Sequence, residues 1–302
     1  MAENIWSTLS NELARAAEQA GPSVVGVQGW RYPASGVFWS SDSIVTVNHA
    51  VRADEARIVL ANGERISARV GGRDPGTDLA VLRIESRAEA GQSRWSADAK
   101  LRIGELTLAL ARTWRGNIVA SSGIVSGLMQ GPWRTRRGGE LDQFIRPDLT
   151  MYPGFSGGPL LNNHGEFVGI NTQGLHRSGI TIPATTVARI AAELREKGRV
   201  ERPYLGLAMH NVTLPESLRS SLNLTSGEGL LVVHVEPESP AGKAGVLLGD
   251  TLVELESKAV GDTDGVQDAL RSRPIGSEVE LLFIRGGAAK RVRLKLAARP
   301  AG

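Results

Sequence analysis

Two spacings of apolar residues alternate along the chain. Near the N-terminus Ile5, Trp6, Leu9, Leu13 and Ala16 recur at three- and four-residue intervals, which predicts a helix with one apolar face, stopped by Gly21-Pro22. From Val24 the pattern turns to short β runs such as "SIVTVNHAV", "ARIVLANGE", "DLAVLRIE", "ELTLALAR", "SGIVSGLM" and "GEFVGINTQ". Many short strands between glycine-rich turns, with few helices, predict a closed barrel or a sandwich. Helical spacing returns in "ATTVARIAAELREKG", where Val187, Ile190, Ala191 and Leu194 share a face. Gly198 reads as its C-cap, and Pro203 lies beyond. The last hundred residues change character. Strand "LLVVHVE", short helix "SPAGKAG", strand "TLVELES", helix "DGVQDALRS" and strands "EVELLFIRGG" and "KRVRLKLA" predict a small α+β module with its own core. The expected division is therefore an N-terminal helical segment 1–21, a mainly β domain 22–200 and a second domain 203–299, with no internal repeat.

Length agrees with two domains, since 302 residues is long for one core. Hydrophobic residues make up 41% and charged residues 22%, the balance of a soluble globular protein. The net charge of +3 arises from 35 basic and 32 acidic residues spread along the chain, so no nucleic-acid footprint is expected. One basic run, "WRTRRGG" from Trp133 to Gly139, lies between strand-like segments and reads as a solvated loop. There is no cysteine, which excludes thiol nucleophiles, CxxC redox pairs and disulfides. None of the five histidines (His49, His164, His176, His210, His234) pairs with another at ligand spacing, so no metal and no cofactor is expected. No stretch approaches 18 apolar residues, so no membrane span is expected. "MAENIWSTLSNELARAAEQAG" lacks the basic start and apolar run of a secretory signal. The expected compartment is cytoplasmic as written, or extracytoplasmic if a leader has been removed.

Candidate chemistry centres on "MYPGFSGGPLLNN", Met151 to Asn163, where three glycines and two prolines surround Ser156. A serine hydroxyl is a poor nucleophile at neutral pH and needs a base, a group that orients the base, and N–H donors for the oxyanion. The amides of Gly154 and Ser156 are the candidate donors, each worth roughly 3–4 kcal/mol in characterised proteases. Gly154, Ser156 and Gly158 also satisfy G-x-S-x-G, but a nucleophile elbow requires a helix after the serine. Here Gly157, Gly158 and Pro159 lead into an apparent hairpin, so that pattern fails on context. The alternative, G-x-S-G-G-P, requires a histidine and then an aspartate upstream. His49 is the only upstream histidine, and Asp78 leads directly into a strand. Alone, His49 reads as structural and Asp78 as a turn or cap residue. Asp74 is a rival to Asp78 but precedes Pro75-Gly76 and reads as a turn residue. The joint occurrence of all three, in the required order within a β-rich segment, favours catalysis.

Taken together, "ASGVFWS", "IVTVNHAV", "GRDPGTDLAVLRI", "SSGIVSGL", "PGFSGGPLLNNHGEFVGINT" and "TIPA" resemble the HtrA/Deg family of PDZ-containing serine proteases, from about Ala20 to Leu296. The resemblance implies a mainly β fold: a chymotrypsin-like double β-barrel over 22–200, then a small α+β PDZ domain. It implies His49 as general base, Asp78 as its orienting partner and Ser156 as nucleophile. Thr150, Phe155, Thr172 and Gln173 become candidate substrate-pocket residues. Thr150 stands where trypsin-type enzymes carry an acid, so small aliphatic P1 residues are expected. "PYLGL" resembles a PDZ carboxylate-binding loop, with Leu205, Gly206 and Leu207 facing a peptide C-terminus and Val266 and Leu270 on the flanking helix. Packing of the small core is the plainer reading of those two. The implied activity is ATP-independent endoproteolysis of unfolded proteins in quality control. Implied partners are unfolded polypeptides, peptide C-termini and further copies of the chain, a trimer favoured, with Ile5 and Trp6 as candidate contacts. "WRTRRGG" falls where such enzymes have a mobile activation loop. Phe155 departs from the family's typical asparagine and sets two aromatics, Tyr152 and Phe155, beside the oxyanion loop. This departure supplies the alternative reading, a catalytically silent peptide-binding scaffold or holdase.

Overall fold

A computed structural model describes residues 4–29, 32–85, 93–134, 140–176, 178–271 and 273–298. The chain divides into two units, Met1–Val200 and Glu201–Gly302. Residues 135–139 of the basic run lie outside the described residues.

Helix α1 (Ile5–Ala20) starts at Asn4, whose side-chain oxygen accepts the Trp6 N–H at 3.1 Å. Its apolar face is buried only toward its C-terminal end, where Leu13, Ala16 and Ala17 pack on the core. Ile5 and Trp6 remain 77% and 73% exposed.

The first barrel closes in the order β1 (Val24–Val27), β2 (Ala34–Ser40), β3 (Ser43–Val47), β6 (Leu79–Arg83), β5 (Arg65–Asp74) and β4 (Glu55–Val59), all pairs antiparallel. Closure leaves none of these strands with an unpaired edge. Every residue of β3 is buried, and of its two polar members Thr46 donates to the Ser35 carbonyl at 2.6 Å. The second barrel takes β7 (Leu106–Arg112), β8 (Ile118–Arg134), β9 (Glu140–Asp148), β10 (Pro159–Leu161), β11 (Phe167–Thr172) and β12 (Ile180–Pro183) in the order β10-β11-β12-β9-β8-β7. Helix α2 (Ala184–Lys197) buries Val187, Ile190, Ala191 and Leu194, the stripe that the periodicity predicts. It stops at Gly198, whose φ of 74° lets its N–H return to the Leu194 carbonyl.

The second unit is a sheet ordered β14 (Leu207–Thr213), β15 (Glu228–Val235), β16 (Thr251–Leu255), β18 (Glu278–Arg285), β19 (Ala288–Lys295), with β17 (Lys258–Ala259) on β16 and a small ladder of β13 (Pro203–Tyr204) with β20 (Ala297–Ala298). Helix α5 (Thr263–Arg271) packs beside β13 and β14. The turn α4 (Pro240–Lys243) is capped by Ser239. Helix α3 (Glu216–Ser221) is too short for periodicity to foresee; Leu218 and Leu222 pack with Leu214 and Leu224 in a satellite cluster. Both sheet ends carry an open edge, and β19 guards its own with Arg291, Arg293 and Lys295. No helix among the described residues is long and apolar enough to cross a membrane. Those residues also hold no cluster of three or more His, Asp or Glu side chains suited to a metal ion.

Candidate active site

Strand β3 ends at Val47 and runs into a single 3₁₀ turn, Asn48–Ala50, which lifts His49 out of the barrel wall. Asp78 precedes β6. Its backbone sits at φ 60°, a conformation that Asp tolerates better than most residues and that costs of order 1 kcal/mol. The neighbourhood holds it there. Asn48 N–H donates to the Asp78 carbonyl at 2.8 Å, and His49 N–H to Oδ1 at 2.9 Å. His49 Nδ1 lies 2.7 Å from Asp78 Oδ2, which also accepts the Thr172 hydroxyl at 2.5 Å. The Asp78 side chain is 1% exposed and that of His49 34%, so a buried acid orients a partly open imidazole. Asp74, the rival carboxylate, accepts from the Gly76 and Thr77 N–H groups and the Thr77 hydroxyl, holding the turn that presents Asp78.

Ser156 enters from the second barrel. The loop before β10 is a chain of fixed peptides. Phe155 N–H closes a turn onto the Tyr152 carbonyl at 3.1 Å, with Pro153 second and Gly154 third. Gly154 has φ 105°, so the turn is type II, which glycine alone adopts without strain at that position. Gly158 N–H bonds the Phe155 carbonyl at 3.0 Å, and Gly157 N–H bonds that of Asn171 at 2.8 Å. Two N–H groups are left over. Among the described residues no acceptor takes the Gly154 or the Ser156 amide.

The end of β11 and the two residues after it join the two halves. Thr172 bonds Asp78, Gln173 N–H reaches Ser156 Oγ at 3.2 Å, and Gly174 abuts both His49 and Asp78. A Cβ on Gly174 would stand 2.6 Å from His49 Nδ1 and 2.9 Å from Asp78 Cγ. By accepting from Gln173, the Ser156 hydroxyl keeps its own proton available for a base.

The four expected pocket residues separate. Thr150 and Gln173 are exposed, and Gln173 also donates from its amide to the Met151 carbonyl at 3.0 Å. Phe155 and Thr172 are 1% and 0% exposed and line no open pocket. Phe155 is the knob that seats the turn in a core cluster with Val125, Leu160 and Val168, while the Thr172 hydroxyl belongs to Asp78. Of the two aromatics, only Tyr152, 58% exposed, faces outward. Sequence reading passed over Gly174, a glycine directly after a predicted strand, and Ser35, one small polar residue in a buried run.

In the second unit Leu205 and Gly206 offer their carbonyls to Ala241 N–H at 3.0 Å and Glu236 N–H at 2.9 Å. Strand β14, which follows, ends the sheet order and has one free edge, the place where an added strand would pair. Val266 and Leu270, at 3% and 5% exposure, pack in the core cluster of this unit.

The description "Trypsin-like peptidase domain" matches residues 34–170, and "PDZ domain" matches residues 203–296. The chain belongs to the HtrA/Deg family. It is 31% identical over 276 residues to a probable periplasmic serine endoprotease DegP-like of Bartonella henselae, covering 88% of this chain and 53% of that one. It is 31% identical over 268 residues to the serine protease Do-like HtrA of Lactobacillus helveticus, covering 84% and 64%. The chain thus spans between about half and two thirds of the length of these relatives. Among solved structures, the serine endoprotease from Yersinia pestis superposes with a TM-score of 0.73 at 26% identity over 95% of this chain and 98% of that one. A variant of the HtrA-type protease AlgW with a decapeptide gives 0.74 at 25% identity, over 95% and 98%.

Proposed function

We propose that this HtrA-family chain is an ATP-independent serine endopeptidase that cuts unfolded or misfolded polypeptides, with its PDZ domain taking peptide C-termini. The observation that carries this reading is the convergence on residues 172–174. One three-residue segment bonds the orienting acid, reaches the serine hydroxyl and packs on the histidine.

In this reading His49 Nε2 accepts the Ser156 proton as Oγ attacks the scissile carbonyl. Asp78, bonded to Nδ1, fixes the tautomer and stabilises the imidazolium. The carbonyl oxygen, gaining charge, meets the two uncommitted N–H groups of Gly154 and Ser156. His49 then returns the proton to the departing amine, and water repeats the sequence on the acyl-enzyme. In the second domain a peptide would pair along the open edge of β14, its carboxylate at the Leu205–Leu207 amides. The exposed Ile5 and Trp6 of α1 are the surface we assign to contacts between copies. The periplasmic names of several relatives favour an extracytoplasmic site of action.

Degradation of an unfolded protein substrate by the wild type, beside Ser156→Ala, tests the reading. The wild type should digest it and label with a fluorophosphonate at Ser156. The variant should lose on the order of a millionfold in turnover. Equal inertness of both proteins, with Ser156 unlabelled, would favour the silent scaffold.

A further inference from the structure

Ser35 belongs to the first barrel, near the start of β2, and is completely buried. A buried hydroxyl must find partners or cost stability. This one has two. It accepts the Arg112 N–H at 2.9 Å and donates to the Gly154 carbonyl at 2.8 Å. Its own N–H donates to the Ser156 carbonyl at 2.8 Å, and its carbonyl accepts from Thr46. Gly157 passes so close that a Cβ there would overlap the Ser35 carbonyl. One residue therefore grips the carbonyls on both sides of Phe155.

Those two carbonyls belong to Gly154 and Ser156, the same residues whose N–H groups are left without acceptors. The Gly154 N–H sits in the central peptide of the Tyr152–Phe155 turn. A type I and a type II turn differ by a flip of that peptide, which would turn its N–H away. Phe155 restrains the turn from one side through its burial. The Ser35 hydroxyl restrains it from the other, through the carbonyl that follows the glycine.

We propose that Ser35 is a positioning residue for catalysis, holding the oxyanion turn in the form that presents the Gly154 N–H. The inference rests on the peptidase reading given above. Arg112 extends the anchorage: its guanidinium donates to the carbonyls of Gly21 at 2.7 Å, Val24 at 2.6 Å and Gly116, so the residue that orders Ser35 is itself fixed to the start of the barrel.

Steady-state kinetics of full-length Ser35→Ala on a peptide substrate tests it. Loss of the hydroxyl should lower kcat about tenfold to a hundredfold, less than or equal to the loss of a whole donor, with KM within about twofold. Fluorophosphonate labelling should slow by a similar factor. The pH profile of kcat should keep its wild-type shape, and the unfolding transition should stay well above the assay temperature. If Ser35→Ala does not fold, Ser35→Cys keeps most of the volume with only a weak donor. It should then show the kcat loss, about tenfold, at unchanged KM. A folded variant with kcat within about twofold of wild type overturns the proposal while leaving the peptidase reading intact. A wild type that is inert and unlabelled overturns both.

Discussion

Gly174→Ala is the smallest change that tests the His49–Asp78 pair. The new methyl would lie 2.6 Å from His49 Nδ1 and 2.9 Å from Asp78 Cγ, and closer still to Asp78 Oδ2. Comfortable carbon contacts begin near 3.5 Å, so the carboxylate, the ring or the 172–174 segment must retreat by about 1 Å. Asp78 cannot recede freely, because Oδ1 is held by His49 N–H and Oδ2 by Thr172. The imidazole, 34% exposed, is the part with room to yield, so the 2.7 Å bond to Nδ1 would open beyond hydrogen-bonding distance. Misplacement of about 1 Å costs on the order of 10²-fold, and loss of the correct tautomer on the order of 10⁴-fold. The expected fall in kcat is therefore about 10²- to 10⁴-fold, or about 3–5 kcal/mol in barrier height. Initial rates on a peptide substrate, checked against the fluorophosphonate labelling rate, measure it. The downfield proton of the Nδ1–H bond should vanish from the NMR spectrum. A variant that keeps that resonance and at least a third of the wild-type kcat would refute the steric reasoning.

Three other outcomes are expected. Phe155→Ala should cost the protease domain about 3–5 kcal/mol in urea unfolding followed by tryptophan fluorescence, all six tryptophans lying before residue 200; a raised KM at unchanged stability would return Phe155 to the substrate pocket. Glu256 and Ser257 turn between β16 and β17 at φ 51° and 62°, so Ser257→Gly should stabilise the second unit by about 1 kcal/mol in calorimetry, and an unchanged transition would refute that strain. Burial pushes the Asp250 carboxyl up, but the two-point grip of Arg285 and the Leu247 N–H outweigh it and hold the group below its ordinary 3.8. Its folded value being depressed, the stability it supplies is present above pH 3.8 and is lost as pH falls through the folded value, so the calorimetric gap between wild type and Asp250→Asn should close on acidification below about pH 4; a gap constant from pH 7 to pH 2 would refute the linkage.

The barrels and the triad candidates were legible for different reasons. Alternating apolar runs cut by glycine-rich turns permit few arrangements, although periodicity alone does not separate a barrel from a sandwich. The difference lies in pairings such as β1 with β4, which join residues far apart in the chain. His49, Asp78 and Ser156 stand out as candidates because reaction chemistry restricts residue type and order, whatever the intervening sequence. Val266 and Leu270 were ambiguous in principle, since a groove wall and a core helix show the same apolar spacing.

Phe155 shows where such reading fails. Its neighbour in the chain is the candidate nucleophile, so proximity argued for the substrate pocket and its aromatic character for a disturbed loop. Which way a side chain turns from an irregular loop depends on the peptide bonds around it, and these are set by distant groups: Ser35 on Gly154, Asn171 on Gly157. With both flanking carbonyls tied, Phe155 points into the second barrel and fills it. An aromatic group in the core then restrains the turn by packing, where a polar residue would need a hydrogen-bonding partner. Packing of this kind is insensitive to which groups bind elsewhere on the protein. The Tyr152–Phe155 turn should therefore stand formed before any peptide reaches the PDZ domain, and basal turnover should rise less than about threefold when a PDZ-binding peptide is added. Activation of tenfold or more by such a peptide would mean that Phe155 and Ser35 together do not hold the turn.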